Sequence, residues 1–201
     1  MTGARLIYPA TARNRDPILD VLRDYLPETG HVLEIASGSG EHISYFARAC
    51  RGLVFHPSDP DPRCRASIDA WTAEDPRLKN VMPPLAFDVT QPWPALDAAA
   101  VLCINMIHIA PWAATQALIA GARSLLEPLG LLYLYGPYKR GGIHTAPSNA
   151  AFDERLRAEN PTWGVRDLEE VVALAADAGF EEPDIVPMPA NNLSVIFQKP
   201  L

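Results

Sequence analysis

The sequence predicts an α/β protein built on a doubly wound, mostly parallel sheet, a single domain over residues 1–201. Three observations carry that expectation. Apolar, strand-like runs alternate with helical periodicity along the chain. The run AAAVLCIN at 98–105 is apolar throughout, as a parallel strand covered on both faces should be. The segment HVLEIASGSGEH at 31–42 reads as a buried strand turning tightly into a helix N-terminus.

The elements follow in order. Residues 16–25 predict a helix with Ile18, Leu19, Val21, Leu22 and Tyr25 on one face and Pro17 at an early helical position. Strand one covers 31–37, and a helix follows over 41–49 with Ile43, Phe46 and Ala47 inward. A short strand at 53–58 ends at Asp59, and a helix spans 61–73. Strand three is expected at 81–87, ending at Asp88, although Pro83 and Pro84 cannot donate to a ladder. Strand four is 98–105, followed by a helix at 112–126 and strand five at 130–135. A helix at 167–178 has Asp167 as N-cap, Glu170 three positions on, and Gly179 as its stop. Two strands, 184–188 and 193–198, close the chain around a turn at Asn191 and Asn192. Between strand five and the last helix, residues 136–164 are too long for an ordinary connection. That insertion, with a helix at 149–159, is the expected substrate-site segment.

Composition narrows the function. The chain is 48% apolar and 20% charged, as soluble globular proteins are. A formal charge of −7 repels phosphate backbones, which argues against a nucleic-acid partner. No apolar run approaches the ~20 residues that span a bilayer, and the N-terminal stretch lacks the apolar core of a secretion signal. Cys50, Cys64 and Cys103 are odd in number and widely spaced, which suits free thiols in a reducing cytoplasm. The five histidines show no metal-ligand spacing, so no metal is expected.

Ligands of such sheets sit beyond the carboxyl ends of the strands. There strand one supplies Glu34, Ala36, Ser37, Gly38 and Gly40, with glycines letting the backbone pass close to a ligand. Asp59, about 20 residues on, is placed to accept ribose hydroxyls. Asp88 is placed to accept from an adenine amino group. Each aspartate has a plainer alternative as a helix cap. Strand four ends in Asn105 and His108, the latter either a general base or a hydrogen-bonded structural histidine. A nicotinamide or flavin dinucleotide would want a third glycine where Ile43 stands, and Glu41 would face its pyrophosphate. No GK[ST] follows, which excludes a P-loop. The turn suits a nucleoside carrying an amino acid without phosphate, foremost S-adenosylmethionine. A nicotinamide oxidoreductase and a non-catalytic binding or scaffold protein stay as alternatives.

Several longer motifs share one resemblance: RNRDPILDVL, VLEIASGSGEH, HPSDPDPRC, FDVT, LCINMIHIAPW, YGPYKRGG, SNAAFDERLRAENPTWGVRDLE and MPANNLSVIFQK. The chain resembles class I S-adenosylmethionine-dependent methyltransferases over about residues 13–199. More narrowly, it resembles the methyltransferase-like protein 26 family, long catalogued as a domain of unknown function. The resemblance implies a Rossmann-like, seven-stranded sheet whose last strand is antiparallel and inserted between strands five and six. It implies that Glu34, Ser37, Gly38 and Gly40 hold the methionine part, Asp59 the ribose, and Asp88 with Val89 the adenine. Asn105 would help with the amino group, and Arg13 and Asn14 would cover the cofactor. Methyl transfer then goes to a small-molecule O- or N-nucleophile with His108 as base. The expected substrate contacts are Tyr138, Ser148, Asn149, Asp153, Arg157, Trp163 and Asn191. Asp153 and Arg157, four apart, read equally as a surface ion pair.

Overall fold

Period-two alternation in the central strands divides the core into two layers. In the computed structural model, which describes residues 5–201, Val101 and Cys103 face one layer, while Ala100 and Leu102 face the other. Residues 1–4, the start of the stretch read for a secretion signal, lie outside the described residues. The chain runs α1 (Pro9–Tyr25), β1 (Gly30–Ile35), α2 (Glu41–Ala49), β2 (Leu53–Pro57), α3 (Pro62–Glu74), β3 (Ala98–Ile104), α4 (Trp112–Leu125) and β4 (Leu126–Arg140). Then come β5 (Ile143–His144), α5 (Pro147–Glu159), β6 (Arg166–Asp167), α6 (Leu168–Asp177), β7 (Asp184–Met188) and β8 (Asn192–Gln198). Helices α1 and α2 cover one face of the sheet, and α4 and α6 cover the other.

The main path of the sheet is β2-β1-β3-β4-β8-β7. Pairs β1–β2, β1–β3 and β3–β4 are parallel, whereas β8 is antiparallel to both β4 and β7. The doubly wound order and the antiparallel last strand are therefore as expected, whereas the seven expected strands become six on the main path, with β5 and β6 pairing β4 off it. Strand order reverses beside β1: the chain crosses from β1 to β2 on one side and then to β3 on the other. That switch point opens a crevice at the carboxyl ends of β1 and β3.

The sequence misplaces three elements. The expected strand at 81–87 makes only two isolated parallel bridges to the edge of β2, Phe55 with Val81 and Ser58 with Leu85. Pro83 and Pro84 lie between the bridges without N–H groups, so no ladder forms and the sheet edge is closed to further pairing. Helix α1 begins at Pro9, two turns before the expected start, so Pro17 is interior. Polar residues 13–16 hide this start, although Pro9 at the first helical position marks it. Strand β4 runs on to Arg140, pairs Pro137 with Asn192, and then holds the short strands β5 and β6. The expected insertion at 136–164 thus begins as a strand end and a tight hairpin, and its helix lies where expected, as α5. Helix α6 ends as read: Gly179, at φ +88°, donates to Ala176 O, and Phe180 N–H reaches back to Ala175 O.

One helix position is filled by a neighbour. Trp93 stacks edge-on against Phe87, donates to Val89 O, and lies over Gly121 of α4. A Cβ at Gly121 would fall 1.9 Å from the Trp93 ring. Helix propensity alone favours alanine by about 1 kcal/mol. Overpacking costs about 1–3 kcal/mol and should win. Gly121→Ala is expected to lower the urea midpoint of unfolding; a raised midpoint would mean that Trp93 moves aside freely.

Candidate functional site

The turn from β1 into α2 sets the site. Ala36, Gly38 and Gly40 all have positive φ, at 52°, 57° and 86°. Gly38 N–H donates to Asp59 Oδ2 at 3.0 Å, and Asp59 Oδ1 accepts Asp61 N–H at 2.9 Å. The carboxylate at the end of β2 therefore pins the glycine turn. Ser37 Oγ accepts Ser58 N–H at 3.1 Å and donates to Glu34 O, locking the same two strand ends. Gly40 serves packing: a Cβ there would lie 2.8 Å from Ile68 Cα in α3.

Beyond this turn lies a cavity of about 810 Å³. Its floor is Glu34 to Ser39 from β1 and the turn, with Ile104 at the end of β3 and Asn105 and Met106 after it. One end is closed by Asp59, Phe87, Asp88 and Val89, and the opposite wall by Ile109 to Pro111, Ala113 and Trp163. The N-terminal segment and α1 form the cover through Tyr8, Thr11 and Asn14. That segment is tied down where Leu6 N–H meets Ser67 Oγ, Trp71 Nε1 meets Leu6 O, and Tyr8 N–H meets Glu41 Oε2.

The expected cofactor residues mostly converge. Asn14, Glu34, Ala36, Ser37, Gly38, Asp59, Asp88, Val89 and Asn105 line the cavity, whereas Arg13 and Gly40 stand outside its lining. Glu34 is 2% exposed, and its Oε2 has no hydrogen-bond partner. Burial pushes its carboxyl from the ordinary 4.5 up to about 8. Burial also raises Asp59, against the lowering bonds from Asp61 and Gly38 N–H. Asp88 caps its own turn, accepting Thr90 N–H at 2.9 Å and its hydroxyl at 2.8 Å. Asn105 adopts φ +64°, uncommon for a non-glycine residue, and its N–H donates to Tyr135 O.

His108 is a correction. It is fully buried and absent from the cavity wall. Its Nδ1 accepts Arg166 N–H at 3.4 Å, which leaves the proton on Nε2. Nε2 points over Gly136, where a Cβ would lie 2.4 Å away. Burial and the Arg166 charge push the ring down to about 3, so it stays neutral. A neutral imidazole with its lone pair engaged, buried off the cavity, is not placed to take a proton from a ligand there.

Most of the expected substrate residues also lie elsewhere. Tyr138 is fully buried against His108, ring centroids 5.3 Å apart. Asn149 donates to Thr145 Oγ1 and Asn191 O, and Asn191 donates to Ser148 Oγ, so these residues tie α5 to the turn before β8. Asp153 accepts Val165 N–H at 2.7 Å and meets Lys139, His144 and Arg157 at 3.1–3.3 Å. Those bonds outweigh its burial and lower its carboxyl. These polar groups are consumed in building the wall. Trp163 alone of the set lines the cavity. Its loop is fixed by Gly164 N–H to His108 O and by the Arg166 guanidinium on Ile107 O and Thr162 O.

Sequence reasoning overlooks His42. It lines the cavity, and its Nε2 lies 2.8 Å from Asn14 Oδ1. Burial, then the Arg15 charge, lower it to about 4, so its ring is neutral. Its place two residues after Gly40 was visible, but nothing local says which way the ring turns. Among the described residues no cluster of three or more potential metal ligands occurs.

Solved structures with this architecture include an O-methyltransferase family protein from Burkholderia thailandensis, with a TM-score of 0.81 at 17% identity over 95% of this chain and 57% of that one. Human N-acetylserotonin methyltransferase in complex with SAM gives 0.77 at 14% identity over 96% of this chain and 53% of its own. An O-methyltransferase family 2 protein from Planctomyces limnophilus, solved with apigenin, gives 0.77 at 20% identity over 94% and 60%. The chain thus spans little more than half the length of these structures, and at such identities the likeness is one of fold. A family model described as "Protein of unknown function (DUF938)" matches residues 5–199. The chain belongs to that DUF938 family.

Proposed function

We propose that this chain binds S-adenosylmethionine in the 810 Å³ cavity and transfers its methyl group to a small-molecule acceptor. The observation that carries the reading is the buried Glu34 carboxyl, its Oε2 without a partner, at the floor of a cavity lined, among the described residues, by no lysine or arginine. Such a group calls for a cationic partner. A dinucleotide would instead need its pyrophosphate held, and Glu41 already occupies the α2 N-terminus, accepting from Tyr8 N–H and Ser39 Oγ. The cited neighbours with their methyltransferase descriptions support the same reading at the level of fold.

The bound cofactor would supply a methyl group already activated on a sulfonium. The protein's part is to bind, orient and exclude water. In this reading Glu34 and the backbone of Ser37 and Gly38 hold the amino-acid end. Asp59 takes the ribose, and Asp88, Val89 and Phe87 bound the adenine. The acceptor lies under Asn14 and His42 against Trp163. His108, Asp153, Asn149 and Asn191 set the shape of the wall. The free thiols of Cys50, Cys64 and Cys103 suit a cytoplasmic setting.

Calorimetric titration with S-adenosylmethionine and NADH tests the cofactor. Micromolar binding of the first and none of the second is expected, and the reverse would replace the reading with an oxidoreductase. Asp59→Ala should weaken S-adenosylmethionine at least about tenfold, roughly one charge-assisted hydrogen bond. Unchanged affinity would remove Asp59 from the ribose.

Glu34 gives a pH signature. In the free protein it holds its proton below about 8, and a bound cation favours the carboxylate. Binding at pH 7 should therefore release up to about one proton, and affinity should rise with pH until about 8. Glu34→Gln should abolish this dependence and weaken binding. The same raised carboxyl contributes stability that is present below its unfolded value near 4.5 and lost as pH rises through about 8. Glu34→Gln should therefore gain thermal stability relative to the parent between those values. Proton-neutral binding by the parent would remove Glu34 from contact with the cofactor charge.

A further inference from the structure

The charge of the cavity says what kind of acceptor it admits. Four carboxyl groups line it, Glu34, Asp59, Asp61 and Asp88, with no lysine or arginine among the lining residues. Arg63, Arg65 and Arg166, the nearest to its ends, are bonded elsewhere. Arg63 forks onto Asp61, and Arg65 turns to the backbone oxygens of Asp59 and Pro60. Arg166 donates to Ile107 O behind the wall, and Arg15, 4.7 Å over the Tyr45 ring, stays outside the lining although its charge reaches His42. The acceptor side is uncharged: Thr11, Asn14, Ile109, Pro111, Trp163 and a neutral His42. Ile109 and Trp163 give that side an apolar, partly aromatic rim.

Building on the methyl-transfer reading, we propose that the acceptor is an uncharged or cationic, largely apolar small molecule, and that phosphorylated and carboxylate metabolites are excluded. An anion placed against Trp163 would leave water for a wall that offers no lysine or arginine to pair it. The amino-acid end of the cofactor escapes this penalty because it brings its own ammonium. In the transfer, an N–H or O–H lone pair of the acceptor bonds the methyl carbon. The C–S bond breaks with its electrons left on sulfur, which becomes a neutral thioether. The acceptor's proton passes to water.

Calorimetry with S-adenosylmethionine first establishes loading, and failure there ends the methyl-transfer reading itself. A small-molecule extract of the source cells is then split by ion exchange into anionic, neutral and cationic fractions. Each is incubated with the purified protein and methyl-tritiated S-adenosylmethionine. Label is expected in the neutral or cationic fraction, exceeding the anionic fraction by at least about tenfold, the discrimination of one unpaired charge. Label chiefly in the anionic fraction overturns the inference. So does a loaded protein that labels none of the fractions.

Discussion

The structure depends on how the chain leaves β1. Within five residues it must end a buried strand at the switch point, clear the sheet edge and start α2 against α3. It does so with three residues at positive φ, and the Asp59 carboxylate holds the result by accepting Gly38 N–H. Gly40 cannot carry a side chain because the α3 backbone is in the way. The turn, the end of β2 and the packing of two helices are thus one coupled unit. The cavity is the space that unit leaves open at the carboxyl edge of the sheet.

Elsewhere the protein treats buried acids differently. Asp75 is bonded by Arg77 and Arg48, which hold its carboxyl well below the usual range. Asp153 gathers three basic side chains and a backbone N–H. Even Asp59 has two N–H donors. Glu34 alone among these is deeply buried with an oxygen lacking a partner. Packing gains nothing from that arrangement, since a buried polar group without a partner costs free energy. In the proposed reading the partner missing at the cavity floor is a ligand charge.

The elements with strong local signals were legible in the sequence. Helix α2 and strand β7 match the expected bounds, because their apolar pattern and flanking breakers coincide. The glycine turn and the acids at 34, 59 and 88 were legible for the same reason: strand ends place them, and topology brings strand ends together. What failed was side-chain direction. His108 sits beside the crevice in sequence, yet its ring turns under Gly136 into the core. The polar residues of α5 looked like a binding surface, but their partners come from β4, β5 and the turn before β8, distances no local pattern encodes. Thr11 entered the site only because α1 starts at Pro9, and His42 of α2 meets Asn14 of that helix there.

The most direct measurement is a crystal structure of the protein grown with S-adenosylmethionine. The ligand is expected across the carboxyl ends of β1 and β3, its nucleoside between Asp59 and Val89 and its amino-acid end beside Glu34. A ligand seated instead in the separate cavity of about 450 Å³ beside Lys139, Arg157 and Arg166, with the larger cavity empty, would contradict that placement.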